Sequence, residues 1–403
     1  ILSCFRYFLF QKVIGMVVWL HFLRGVTFFS CPLDIGQKAR PDPKAQDPKA
    51  HINREFREYV GMYEITNTEK NQKTASTYET ISLLYLIGKR KDRKRISIIS
   101  IDTLNDVTGM CNNHETLWDV QAKGVKSLTP KSIGTSLFTL YKNYISSFKN
   151  HFKEYIIVTP EIKRNYFLHP EKHEYTIDNF KNTCIVKIRT GLVAAANAAG
   201  KTTNSISIDD FLNRITFVES LDDESTYIKN VIRFKSKNKK NTASYEAIFK
   251  EIRDKQSSIK NYCVEGNKIS HPREILTYKK HINKSDIEML IVNRLVGEQV
   301  FNQDLIPNDF FEELIGLDKD SREDLINDCN SDISRAFFNK NSKKEFWDLF
   351  NQILTRIQKN SELTPRETLE GINESVIKKA SVMKKISIIF LIAIIKQGLS
   401  NEN

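Results

Sequence analysis

The chain has 403 residues, of which 40% are apolar and 27% charged, so an intrinsically disordered polypeptide is excluded and two or three domains are expected. A formal net charge of +12 favours a polyanionic partner, nucleic acid first, although a Lys-, Asn- and Ile-rich composition also yields basic proteins without one. The six cysteines (Cys4, Cys31, Cys111, Cys184, Cys263, Cys329) form no CxxC pair; this excludes a zinc knuckle and points to free thiols in a cytoplasmic protein.

Residues 1–30 are apolar but interrupted by Arg6, Lys12, His21 and Arg24. A bilayer helix needs about 20 apolar residues with few charges. No small-residue cleavage site follows, as a signal peptide requires. The expectation is a segment upstream of the native start, with Met62 as that start and no membrane association. Residues 36–50, GQKARPDPKAQDPKA, read as a Pro-rich linker.

Residues 77–88 predict a short helix that carries Glu79 near its start and ends at Gly88. The run KRKDRKR follows, residues 89–95. It is either a solvated surface or a contact for phosphates. Its Lys89, Arg90, Arg93, Lys94 and Arg95, together with Lys126, are the candidate DNA-backbone contacts.

Ile96–Ile101 is a β-branched run and a buried strand. Asp102 and Asp106 follow it, and Gly109 is expected to turn the chain. Residues 116–123 form a second strand, where Asp119, Gln121 and Lys123 are two apart and share a face. Thr129 and Pro130 suit the start of a helix, whose apolar face holds Ile133, Leu137, Leu140, Tyr144 and Phe148. Residues 154–159 form another buried strand. After about residue 205 amphipathic helices are expected near 224–234, 243–260, 285–298, 321–338, 343–358 and 365–396. The apolar run 386–395 is too short to cross a bilayer and reads as a buried or oligomer-forming helix.

Polar groups on a core strand are costly unless something binds them. Mg²⁺ takes carboxylate and carbonyl oxygens, and phosphodiester hydrolysis needs such an ion, an activated water and positive charge. Asp102, Asp106, Asp119, Gln121 and Lys123 supply those parts. The alternative is an ordinary sheet edge facing water.

The succession YETISLLYLIG, ISIDTLNDVTG, DVQAKGVKSLTPKSIGTSLFTLYKNY and YIIVTP resembles the PD-(D/E)xK double-stranded-DNA nuclease effectors of bacterial anti-phage defence, known from CBASS and Lamassu-type systems. The resemblance spans roughly residues 74–160. It implies a metal-binding Asp106, Gln121 in the usual acidic position, a catalytic Lys123, and Glu79 and Asp102 near the metal. The implied fold is α/β, a restriction-endonuclease-like mixed sheet flanked by helices over 61–204, followed by a mostly α-helical regulatory or assembly domain over 205–403. The implied activity is Mg²⁺-dependent cleavage of double-stranded DNA with low sequence specificity. An oligomer controlled by a defence-complex partner protein or an activating signal is expected. The rivals are a catalytically inactive nucleic-acid-binding or assembly subunit and a P-loop nucleotide hydrolase using Lys201.

Three features are set aside. AAANAAGKTT, residues 194–203, lacks the first P-loop glycine and reads as an Ala-rich helix ending at Gly200. His169 and His173 read as surface histidines, and Cys184 and Cys263 as structural thiols.

Overall fold

A computed structural model of the chain describes residues 61–66, 73–125, 127–201, 203–232 and 242–401. The apolar N-terminus and linker, Lys126 and the basic stretch 235–241 lie outside the described residues. The strands are β1 (Tyr63–Glu64), β2 (Ile96–Ile101), β3 (Val107–Cys111), β4 (Leu117–Ala122), β5 (Phe152–Thr159), β6 (Glu174–Tyr175), β7 (Ile215–Glu219), β8 (Lys268–Ile269) and β9 (His281–Asn283). Among the described residues, seven form one mixed sheet in the order β6-β7-β5-β4-β3-β2-β9, while β1 pairs with β8.

Helix α1 (Lys73–Leu84) enters the sheet through a π-helical turn, Tyr85–Lys89. Gly88, expected as a helix stop, lies inside that turn, where a Cβ would meet the Val231 backbone nitrogen at 3.0 Å. Strands β2, β3 and β4 are antiparallel and need only short turns. The step from β4 to β5 is parallel and needs a crossover. It is made by α2 (Pro130–Ser136) and α3 (Phe138–Tyr144), the expected helix split at Leu137. The Thr129 hydroxyl caps α2, as the sequence predicts, and the structure adds a capping box with Ser132.

Residue alternation sorts the sheet into two buried faces. Trp118 and Val120 of β4 pack with Ile81 and Leu84 of α1. Leu117, on the opposite face, packs with Ile133, Leu140 and residues of α4 (Asn182–Ala198). Asp119 and Gln121 share that second face by parity.

Helices α2 and α4 cross closely. A Cβ at Gly134 would lie 1.9 Å from the Ile188 carbonyl oxygen, and one at Gly191 would lie 2.0 Å from that of Lys131. Backbone cannot yield as a flexible side chain does. Gly191→Ala is therefore expected to cost about 3 kcal/mol or more in urea unfolding, at the upper end of overpacking penalties. A loss below about 1 kcal/mol would contradict this packing.

The sequence expectation departs from the fold in three places. Gly109 is not a turn but the centre of β3, where a Cβ would press Leu86 and Ile96 at 3.3 and 3.4 Å. The expected boundary at 204/205 does not divide the sheet, because β7 and β9 come from beyond it. The helices beyond it are α5 (Ser205–Leu212), α6 (Glu224–Ile232), α7 (Thr242–Lys260), α8 (Lys284–Val296), α9 (Phe311–Leu314), α10 (Lys319–Phe338) and α11 (Lys343–Lys359). The helix expected over 365–396 is three: α12 (Pro365–Glu370), α13 (Glu374–Lys379) and α14 (Lys385–Asn401). The apolar run of α14 is buried against its own chain from Ile388 to Ile395. No helix among the described residues is long and apolar enough to cross a membrane.

Candidate functional site

Asp102 and Asp106 bracket the turn between β2 and β3. Asp102 lies at φ +49°, a left-handed conformation that Asp tolerates better than most residues. Its N–H donates to the Asp106 carbonyl at 3.2 Å and closes the turn. The Asp102 carboxylate accepts from Lys280 Nζ at 3.0 Å, and the same ammonium donates to the Asp102 carbonyl at 3.2 Å. Lys280 is fully buried and precedes β9, whose pairing of His281 with Ser100 delivers it.

Pairing of Val107 with Val120 brings Asp106, just before β3, beside Gln121, near the end of β4. Asp106 Oδ2 accepts from the Ala122 N–H at 2.8 Å and from Gln121 Nε2 at 2.5 Å. Gln121 Oε1 accepts from the Thr139 hydroxyl on α3. Gln121 thus presents its nitrogen to the carboxylate. To offer its carbonyl to a cation beside Asp106 the amide must turn over. The Thr139 hydroxyl then accepts instead of donating, so the turned amide keeps a partner.

Asp102, Asp106, Asn105, Thr139, Lys142 and Thr66 border a cleft of about 20 Å³, room for one water or ion. Its carboxylates, hydroxyls and amides are hard oxygen donors of the kind Mg²⁺ takes. Among the described residues no group of three or more His, Cys, Asp or Glu forms a metal cage, so an Mg²⁺ here would retain several waters. Gln121→Glu adds a charged ligand and is expected to tighten Mg²⁺ binding about tenfold in calorimetric titration. In chelator the same variant should melt below wild type, since two carboxylates then meet. Unchanged Mg²⁺ affinity would remove Gln121 from the site.

The second ring of contacts was not foreseen. Lys142 of α3 donates to the Thr66 hydroxyl at 3.1 Å. Burial lowers its pKa, and the Lys201 ammonium lowers it further. Asn143 Nδ2 donates to the Leu104 carbonyl at 2.9 Å and to Asp119 Oδ2 at 2.7 Å, while Asn143 Oδ1 accepts from the Tyr63 hydroxyl at 2.7 Å. Asn143 therefore ties the acidic turn to β4 and α3. A Thr–x–x–Lys–Asn polar stripe at helical spacing was its only sequence signal. Lys280, 178 residues beyond Asp102, had none.

Asp119 is fully buried under this turn. Burial pushes its carboxyl up to about 8; the Asn143 and Asn105 amides oppose the rise and Asp106 adds to it. Thr108 and Tyr155 flank it on the neighbouring strands. Among the described residues, the buried Thr108 hydroxyl, Asp119 Oδ1 and Tyr155 hydroxyl have no hydrogen-bond partner.

Lys123 follows β4, where its N–H donates to the Val158 carbonyl at 2.9 Å, and its side chain is half-buried. Glu79 stands on α1, which covers the opposite sheet face, and accepts from buried Lys260 at 2.5 Å. The basic run adjoins the start of β2, roughly 15–20 Å along the strand from Asp102. Arg90 is held there by Glu154 at 2.6 Å and Asp92 at 2.8 Å. Lys89 pairs with Asp222 at 2.8 Å, Arg93 donates to the Arg90 carbonyl at 2.7 Å, and Arg95 stacks over Trp118. Lys94 is exposed.

Of the set-aside features, Cys184 is buried as a structural thiol should be, whereas Cys263 is exposed. Gly200, at φ +66°, follows the carbonyl end of α4, and the Lys201 N–H donates to the Ala196 carbonyl at 3.0 Å. A phosphate cradle needs the opposite, N–H-bearing end of a helix. His173 reaches Glu219 at 3.1 Å from a half-exposed position, and His169 is exposed. Cys111, Cys184, Cys263 and Cys329 are free thiols.

No protein-family model and no curated protein matches this chain. Among solved structures it aligns with the Acinetobacter baumannii Cap4 SAVED/CARF-domain containing receptor bound to the cyclic trinucleotide 2′3′3′-cAAA, at 12% identity and TM-score 0.32, over 56% of this chain and 47% of that one. A second structure of that receptor aligns at 13% identity and TM-score 0.31, over 69% of this chain and 62% of that one. The chain thus spans less than two thirds of either receptor chain, and overlaps of this quality carry no functional argument.

Proposed function

We propose that this chain is a metal-dependent endodeoxyribonuclease that cuts double-stranded DNA, on a restriction-endonuclease-like core. One observation carries the proposal: Asp106 and Gln121 meet at 2.5 Å at the edge where β2 and β4 end, with Lys123 two residues on. The order α1, β2, β3, β4, α2–α3, β5 agrees with the core that the sequence resemblance implies. Asp106 and the turned Gln121 amide would hold Mg²⁺, with Asp102 bordering the same cleft. When bound, Mg²⁺ supplies Lewis-acid polarisation of the phosphodiester and a more acidic water. Lys123 and Lys142 would offset the negative charge that develops on the phosphate oxygens. Asn143 and Lys280 hold the turn that carries both aspartates.

The setting we propose is bacterial anti-phage defence in the cytoplasm. There the chain would act as an oligomeric effector released by a partner protein or an activating signal. A second reading is an inactive DNA-binding or assembly subunit, favoured by the Gln121 amide presenting its nitrogen rather than its carbonyl to Asp106. Incubating the chain with linear and supercoiled duplex DNA in Mg²⁺ or chelator tests the first reading. Cutting in Mg²⁺ alone supports it, and duplex binding with no cutting across Mg²⁺ and Mn²⁺ supports the second.

A further inference from the structure

A second cleft, of about 350 Å³, opens at the other end of β2, among Ile96–Ile98, α8, the end of α10 and the start of α11. Six cationic side chains line it: Arg93, Lys94, Lys284, Lys340, Lys343 and Lys344. The one lining carboxylate, Glu288, is buried and already accepts from Lys343 at 2.5 Å. Lys284 reaches inward to the Arg93 carbonyl at 2.9 Å. Among the described residues no carboxylate pairs with Lys94 or Lys340. Lys344 is paired with Asp348 at 2.6 Å; the positive charge left over around a low-dielectric cleft raises the local concentration of anions.

Two further features point the same way. Helix α8 begins at this cleft without a side-chain cap, and the first N–H groups and dipole end of such a helix favour negative charge. Helix α11 begins there too, but its Lys343 N–H already donates to the Asn339 carbonyl at 3.0 Å. Apolar surface also lines the cleft: Ile87 and Val231 are buried, whereas Phe338 is 45% exposed beside the lysines. An exposed aromatic ring next to phosphate-binding cations suits a planar base. The volume is that of a small-molecule site.

We propose that this cleft binds a nucleotide, with its phosphates on Lys94, Lys340 and the start of α8 and its base against Phe338. The site lies at the far end of β2 from Asp102 and goes beyond the proposed cleavage activity. Calorimetric titration of the full chain with AMP, ATP, adenosine, inorganic pyrophosphate and a short DNA duplex tests it. AMP and ATP should bind saturably at one site, pyrophosphate more weakly, and adenosine not at all. Lys94→Glu with Lys340→Glu should weaken AMP and pyrophosphate at least tenfold. Phe338→Ala should weaken AMP and leave pyrophosphate unchanged, and the exposed Lys187→Glu on α4 should change neither. Lys94, Lys340 and Lys187 are exposed, so unchanged circular dichroism and melting are expected of the lysine variants; Phe338 also packs on Phe301 and Phe337, so Phe338→Ala is read from its unchanged pyrophosphate affinity, which a misfolded chain would not keep. The proposal is overturned if neither AMP nor ATP binds, or if the lysine variants bind as wild type does. It is equally overturned if AMP binds no tighter than pyrophosphate, or if duplex DNA competes stoichiometrically for the site.

Discussion

Lys280→Met is expected to lower the stability of the chain by roughly 3–5 kcal/mol in urea unfolding, the usual cost of leaving a buried charge without its partner. Lys280 has no exposed surface, and its ammonium carries two bonds to Asp102. Without it, Asp102 keeps a carboxylate out of water at a left-handed turn. Met replaces the aliphatic stem, so the loss reports the charge rather than a cavity. Adding Asp102→Asn removes the stranded charge and should recover most of the loss, giving a large coupling energy in the double-mutant cycle. If the single variant loses less than about 1 kcal/mol, the pair is not what holds the acidic turn.

Asp119→Asn is expected to act with the opposite sign, and its effect should grow with pH. The Asp119 carboxyl is pushed up from 3.8 to about 8 by burial. The folded chain therefore keeps a proton that the unfolded chain releases near pH 4. The stability from this neutral buried acid is complete below about pH 4, where both states are protonated. It declines as the pH rises and is lost once the pH passes about 8. Over that window the loss approaches, as an upper bound, on the order of 5 kcal/mol. An asparagine side chain has the same shape, still accepts from Asn143 and does not ionise. Metal-free melts from pH 5 to 8.5 should show wild type falling relative to the Asp119→Asn variant, which lacks this titration. Parallel curves for the two proteins would mean that Asp119 titrates normally.

The parts of the fold visible in the sequence were those carried by local pattern. The β-branched run of β2 and the apolar run of β5 declare themselves because a buried strand has little choice of composition. Strand β3 did not, since Thr108 and Gly109 break the pattern, and only contact with Leu86 and Ile96 explains the glycine. The meeting of Asp106 with Gln121 follows from a short turn and strand pairing, which determine which side chains meet, whereas for Lys123 they set only its place at the end of the same strand. Glu79 shows the limit of that logic: helical spacing does not say which face of the sheet a helix covers, and Lys260 takes its carboxylate. Lys280, Lys142 and Asn143 reach the turn through tertiary pairing, and no local pattern announces such contacts. The basic run shows the same limit. Charge density suggested a DNA path, whereas Arg90 is committed to Glu154 and Asp92, and Arg93 and Lys94 border a different cleft.

We propose that Asp106, Gln121 and Lys123 form a metal-dependent phosphodiesterase site. Plasmid cleavage in Mg²⁺ by wild type, Asp106→Ala and Lys123→Ala in parallel, with circular dichroism confirming three folded proteins, tests it most directly. Wild type alone should cut, each variant losing about a thousandfold or more, as removal of a metal ligand or charge-stabilising group implies. Cleavage by both folded variants at the wild-type rate would contradict it.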